Sequence, residues 1–183
     1  AKLVLNPTNR CYRCKKMLFT KLKNVAAGEN IRWIMDGTNA DDLRQYRPGI
    51  KALQELGICS PCAELNISKA EIRKLAQKVL LPVATRPSTP CMATRFPYGA
   101  RLDATIIKKL LAGENLIKDL DIKTVRLRYY DGLLRIEVDE QDCCRLLYFK
   151  TQIVNELKKL DCRYSTLDLE GFRSGSMDNM MLN

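Results

Sequence analysis

Prolines at 82, 87, 90 and 97 interrupt the middle of this chain and divide it into two patterns. Proline lacks a backbone N–H and fixes φ, so neither a helix nor a sheet ladder runs through such a stretch. Ahead of it the chain reads helix, strand, helix. Leu18, Leu22 and Val25 keep one helical face that ends near Gly28. Ile31, Trp33, Ile34 and Met35 form a short apolar run stopped by Asp36-Gly37, which predicts a buried strand emptying into the polar loop 36–42. Ser68 with Glu71 three residues on makes a capping box, continued at helical spacing by Ile72, Leu75, Ala76 and Val79. After Gly99 the pattern changes. Asp103 caps a helix with the face Ile106, Leu110 and Ile117, and strands over Thr124–Tyr129 and Leu133–Val138 meet at an Asp131-Gly132 turn. Leu146, Ile153, Val154 and Leu157 mark another helix, and Tyr164–Leu169 a last strand. The expected class is α/β, with a region 1–99 and a second, αββαβ region 100–183, and no internal repeat. The tail 174–183 is expected to be disordered or cut short.

The 183 residues suffice for a real core, and charge narrows the function more than length does. A net charge of +10 and a pI near 9.3 suggest an anionic partner: a nucleotide, a phosphorylated small molecule or RNA. The plainer reading is a basic but inert surface. No apolar run is long enough to span a bilayer, and Lys-Leu-Val-Leu passes at once into Asn-Pro-Thr-Asn without a signal-peptide pattern, so no membrane association and a cytoplasmic location are expected. In that reducing compartment the eight cysteines read as metal ligands, reactive thiols or small buried residues rather than disulfides. Histidine is absent, which removes the commonest general base and the histidine-containing zinc sites.

Two cysteine pairs and one lone cysteine stand out. Cys11-x-x-Cys14 lies in the basic run N-R-C-Y-R-C-K at or just before a predicted helix N-terminus, where the partial positive charge favours thiolate. The pair could bind metal, cycle as a dithiol, or simply pack. Cys59-x-x-Cys62 is a second such pair, and four thiolates would close a structural zinc site if folding brought the pairs together. Cys91 sits in the proline-rich loop between Arg86 and Arg95, a cationic setting that suits a reactive or ligating thiolate, against the alternative of a plain loop cysteine. Cys143, Cys144 and Cys162 read as structural. Arg126 and Arg128, two apart on a predicted strand, share a face and could grip phosphate with Arg173, or could line a solvated face. Arg135 and Glu137 share a face too, and pairing between them is the simplest reading.

The strings N-R-C-Y-R-C-K (9–15), D-G-T-N-A-D-D (36–42), Y-R-P-G (46–49), P-C-M-A-T-R-F-P-Y-G (90–99), V-R-L-R (125–128) and L-D-L-E-G-F-R-S-G (167–175) occur in one order. Together they resemble the LarE family of ATP-dependent sulfur transferases, in the PP-loop ATP pyrophosphatase superfamily, which insert sulfur into the precursor of the nickel-pincer nucleotide cofactor. The resemblance covers nearly the whole chain. It implies the second half of a PP-loop domain (adenine nucleotide alpha hydrolase-like, Rossmann-like) followed by a small α+β domain for substrate binding and oligomerisation. It also implies that a pyridinium dicarboxylate mononucleotide is adenylated on a carboxylate and then attacked by sulfur. In one version of the family the cysteine matching Cys91 gives up its own sulfur. In the other, cysteines matching Cys11, Cys14 and Cys91 hold a [4Fe-4S] cluster, and this chain resembles that type because it has all three.

By the same resemblance, Lys15 and Arg95 would stabilise the acyl-adenylate, and Asp36 and Asn39 would line the nucleotide side. Arg126, Arg128 and Arg173 would receive the substrate phosphate or shape an anion site at an oligomer interface, with Glu114 and Glu137 nearby, and a homo-oligomer is implied. The S-G-G-x-D-S string with which PP-loop enzymes cradle pyrophosphate does not occur here. The chain is therefore expected to match the C-terminal portion of such an enzyme, with ATP and Mg held by a missing or separate N-terminal half, and not to hydrolyse ATP alone. Cys59 and Cys62 lie outside the family pattern, which keeps zinc as an alternative. The competing class is a zinc-stabilised RNA- or nucleotide-binding module, but the aromatic residues are sparse and not interleaved with the basic ones, so nucleic acid is not the expected partner. A part of a tRNA-thiolation enzyme fits the Cys91 loop less well.

Overall fold

A hairpin turn and a crossover fix the better-packed half of the molecule. In the computed structural model, which describes residues 3–86, 89–159 and 162–173, strands β1 (Val125–Tyr130) and β2 (Leu133–Val138) pair antiparallel across Asp131 and Gly132. Both turn residues have positive φ, 45° and 91°, the conformation that a two-residue hairpin requires. After β2, helices α7 (Cys143–Tyr148) and α8 (Lys150–Lys158) return the chain so that β3 (Tyr164–Leu167) lies parallel to β2, giving the order β1-β2-β3. The expected single helix over 146–157 is thus two, with Phe149 between them. Helix α6 (Ala104–Asp119) packs on β1, started by Asp103, whose Oδ1 accepts from the amides of Thr105 and Ile106. Leu110, Ile117, Ile122, Val125, Leu127, Leu134, Val138, Leu146, Ile153 and Leu157 close one continuous core. This C-terminal unit is built from residues 1–6 and 90–183, so the loop carrying Cys91 belongs to it. The two compact units part at Thr89–Pro90, and Phe96 is buried in the core of the C-terminal one.

Gly171 shows why its motif needs glycine. Its φ is +68°, and a Cβ there would sit 2.9 Å from the carbonyl oxygen of Val138, too close for any side chain. The tight approach lets the Phe172 amide donate to the same carbonyl and lays the Phe172 ring beneath the Arg126 guanidinium, 5.1 Å away. The expectation for the tail 174–183 lies outside the described residues.

The N-terminal unit, Pro7–Thr89, is built differently. Helix α1 (Arg10–Gly28) packs on α3 (Gly49–Glu55) around Phe19, Leu53 and Ile58, with Ile34 and Leu56 at the margin. Gly49 permits the approach: a Cβ there would meet the Lys15 side chain at 3.0 Å and the Cys11 carbonyl at 3.5 Å. Short helices α2 (Ala40–Leu43) and α4 (Pro61–Glu64) follow the turns, and α5 (Lys69–Lys78) begins with the capping box of Ser68 and Glu71.

One expectation fails here. The run 31–35 is no buried strand: Met35 forms a single parallel bridge to Cys59, and Ile31, Trp33 and Met35 are exposed, Trp33 by 59%. A strand is buried only when neighbours flank it, and within this unit only the Cys59 segment pairs with it. Leu18, Leu22 and Val25 of α1 and Leu75 of α5 keep the expected helical spacing and face outward, while Phe19 and Ala26 take the buried side of α1. Truncating Ile117→Ala in the closed core should lower the unfolding free energy by about 2–5 kcal/mol in denaturant titration, whereas Val25→Lys on the outward face should change it by about 0.5 kcal/mol or less.

Candidate functional site

In the N-terminal unit, the helix start and the loop after Met35 come together. Cys11 lies in the first turn of α1 and Cys14 one turn further, both exposed. Lys15 turns the other way, and its Nζ donates to Asp36 Oδ2 at 2.9 Å. Asp36 also accepts from Thr38 Oγ1 at 2.8 Å, from Ser60 Oγ at 2.6 Å, and from the Thr38 amide at 3.2 Å. Burial opposes ionisation of this carboxyl, yet the hydrogen bonds from Ser60, Lys15 and Thr38 outweigh it and hold Asp36 below the ordinary aspartate value. Thr38 and Ser60 were not singled out in the sequence, although Thr38 lies in D-G-T-N and Ser60 between two cysteines. Asn39 is buried and serves as a cap: its Oδ1 accepts from the amides of Asp41 and Asp42, and the Asp42 carboxylate accepts in return from the Asn39 amide.

In the C-terminal unit Cys91 is exposed, immediately before a 3-10 turn over Met92–Arg95. The other end of that turn is interior. Arg95 is 1% exposed, and its Nε and Nη2 grip Glu114 at 2.5 and 2.9 Å. Glu114, also 1% exposed, takes in addition the amide of Leu127 on β1 at 3.0 Å. Arg128 is buried between Glu137, 2.9 Å from its Nη2, and the carbonyl of Thr94, 2.6 Å from its Nη1. Arg135 pairs with the other oxygen of Glu137 at 2.8 Å, as its register suggested.

These contacts show what each of the singled-out arginines meets within its unit. The Arg95 guanidinium is closed against Glu114 and ties the loop to helix α6. Of the three arginines expected to meet a phosphate, Arg128 is committed to Glu137 and Arg173 to Glu170, 2.5 Å away. Arg126 lies over Phe172, and no described carboxylate is within ion-pair distance of it. Burial lowers its pKa, and the nearby charges of Arg95 and Arg128 add to that effect. Glu114 and Glu137 are interior ion-pair partners.

Among the described residues no group of three or more cysteine, aspartate or glutamate side chains is arranged to hold a metal. Within the N-terminal unit this means that Cys11, Cys14, Cys59 and Cys62 do not gather into a four-thiolate site. Cys59 is instead tied through its backbone, donating to Ile34 O at 3.2 Å and accepting from the Asp36 amide at 2.9 Å. The Asp36 cluster sets a pH dependence. A carboxyl whose folded pKa lies below its unfolded value of about 3.9 contributes stability above that value and loses it as pH falls through the folded pKa. Asp36→Asn should therefore lower stability at neutral pH and flatten its decline below about pH 4, followed by thermal unfolding across pH.

No protein-family model matches the chain. It is 37% identical over 178 residues to an uncharacterised protein of Synechocystis sp., covering 96% of this chain and 66% of that protein. It is 35% identical over 176 residues to the pyridinium-3,5-bisthiocarboxylic acid mononucleotide synthase of Lactiplantibacillus plantarum, covering 96% and 64%. An uncharacterised protein of Methanocaldococcus jannaschii is 32% identical over 173 residues, covering 94% and 68%. The chain thus spans about two thirds of the length of the curated relatives it matches. It belongs to one family with the Methanocaldococcus jannaschii protein, and it is similar over nearly its whole length to the pyridinium-3,5-bisthiocarboxylic acid mononucleotide synthase as well.

Proposed function

We propose that this chain carries the sulfur-handling part of an ATP-dependent transferase that converts carboxyl groups of a pyridinium mononucleotide into thiocarboxyl groups. The reading rests on Cys91, an exposed thiol at the head of a loop whose far end is locked by buried ion pairs, in a chain similar to a synthase named for a bisthiocarboxylic acid product. A carboxylate oxygen is a poor leaving group. Adenylation with loss of pyrophosphate makes it one, and attack by sulfur then releases AMP. ATP and Mg would be bound by a further part of the enzyme, in the same polypeptide or another. Lys15 is partly exposed beside Asp36 and would offer positive charge to the anionic acyl-adenylate. Asn39, as the cap of α2, would keep that loop in place. Arg126 would be the first choice for the substrate phosphate, since Arg128 and Arg173 already have carboxylate partners.

The family resemblance points to iron, for which thiolates are suitable soft ligands. Cys11, Cys14 and Cys91 are exposed soft ligands, and three protein thiolates leave one iron of a [4Fe-4S] cluster open. Such a cluster would supply a place to hold sulfide. The chain's own contribution is then to present three thiols and a fixed loop.

The test is anaerobic reconstitution followed by iron and sulfide analysis, with sulfur transfer assayed in the enzyme assembled with its ATP-binding part. Cys91→Ser should lose iron and abolish sulfur transfer while adenylation stays within about twofold, and Cys59→Ser should do much less. Iron near background with zinc in its place, or loss of iron from Cys59→Ser but not from Cys91→Ser, would overturn the ligand assignment.

A further inference from the structure

Asn6 is fully buried, at 0% exposure, with a φ of +42°. Its side-chain Nδ2 lies 3.2 Å from the carbonyl oxygen of Ala93, 3.1 Å from that of Phe96 and 2.9 Å from that of Pro97. Its own carbonyl accepts from the Gly99 amide at 3.1 Å. One side chain thus serves three carbonyls of the segment that follows Cys91. The two N–H bonds of that amide group are shared among the three carbonyls, of which Ala93 O also accepts the Phe96 amide at 3.3 Å and Pro97 O the Ala100 amide at 3.2 Å, so the side chain ties together a segment that would otherwise be held only by its own turns.

From the turn the constraint passes to Cys91 through Thr94. The Thr94 hydroxyl donates to the Cys91 carbonyl at 2.7 Å and accepts from Arg95 Nη1 at 2.9 Å, while the Thr94 amide donates to the same Cys91 carbonyl at 3.0 Å. The Thr94 carbonyl is held in turn by Arg128. Arg95 and Arg128 fix the side of the turn nearest the sheet, and Asn6 fixes the carbonyls on either side of Arg95. The backbone of Cys91 is therefore set by contacts that never touch its sulfur.

We propose that Asn6 is a positioning residue for Cys91: it holds the loop 93–99, and Thr94 transmits that constraint to the cysteine. This rests on the transferase reading only for its purpose, because the geometry can be tested without any sulfur transfer. Positive φ makes glycine the clean replacement, since Asn6→Gly removes the side chain and leaves a backbone that glycine adopts without strain. A reaction that depends on a sulfur placed to within a fraction of an ångström loses rate when its support loosens.

The experiment is amide hydrogen exchange on the chain, combined with alkylation of Cys91 by a small thiol reagent across pH 6 to 9. Cys144, exposed in the same unit, is the internal reference. In Asn6→Gly, amides 93–99 should exchange at least about tenfold faster while β1 and β2 keep their protection. Cys91 should also alkylate at least about threefold faster, with Cys144 unchanged and the pH profile separating access from thiolate fraction. Thr94→Val should free Cys91 in the same way with a smaller effect on 96–99, and Thr94→Ser should restore it. Unchanged protection of 93–99 overturns the proposal. So does an equal loss throughout the unit, which would make Asn6 a support of the fold rather than of the loop. If Asn6→Gly does not fold, the Thr94 pair decides: equal Cys91 rates in Thr94→Val and Thr94→Ser contradict it. Neither readout involves sulfur transfer, so failure of the transferase reading would show separately.

Discussion

The pair between Arg95 and Glu114 is the contact on which the loop carrying Cys91 depends. Taking both charges out of water is expensive, and such a pair persists only when its geometry is close and its other hydrogen-bonding atoms are used. Here the guanidinium meets the carboxylate through two bonds, the remaining carboxylate capacity goes to the Leu127 amide, and the third guanidinium nitrogen goes to the Thr94 hydroxyl. One interaction thereby joins helix α6, the open edge of β1 and the turn after Cys91. With Phe96 sealed in the core beside it, the turn has an inside and an outside. Cys91 is on the outside.

The two units solve different physical problems. The C-terminal unit closes a continuous apolar core under a three-stranded sheet and uses buried ions to attach a loop to it. The N-terminal unit buries a small cluster around Phe19, Leu53 and Ile58, leaves Trp33, Met35 and one apolar stripe of α1 exposed, and closes its loops with polar contacts. The capping boxes at Asn39 and Ser68 and the four groups converging on Asp36 do there what packing does in the other unit. An acidic shift in pH therefore acts on the N-terminal unit through a named carboxylate.

What could be read from the sequence was local. Asp103, the Ser68–Glu71 box and the Asp131-Gly132 turn are each decided by a few adjacent residues, and each stands where its pattern placed it. Burial at 31–35 depended on neighbours that no local pattern reports, so the apolar run misled. The same gap hid the role of Arg95. A cation four residues after a cysteine reads as a thiolate-stabilising charge, and only folding brings Glu114, nineteen positions later, against it. Asn6 carried no signal at all, because an Asn-Pro pair near a terminus reads as a turn. The family resemblance, by contrast, was legible from motif order, and similarity to a pyridinium-3,5-bisthiocarboxylic acid mononucleotide synthase supports it.

The central claim is that a buried ion pair, rather than local loop preference, holds Cys91 in place. Denaturant unfolding of Glu114→Gln tests it most directly, beside a double replacement, Glu114→Leu with Arg95→Met, that removes both charges. The account predicts a loss of about 3–5 kcal/mol for the single change, which strands a buried guanidinium, and a clearly smaller loss for the double. A loss below about 1 kcal/mol for Glu114→Gln, no greater than that of the double, would contradict it.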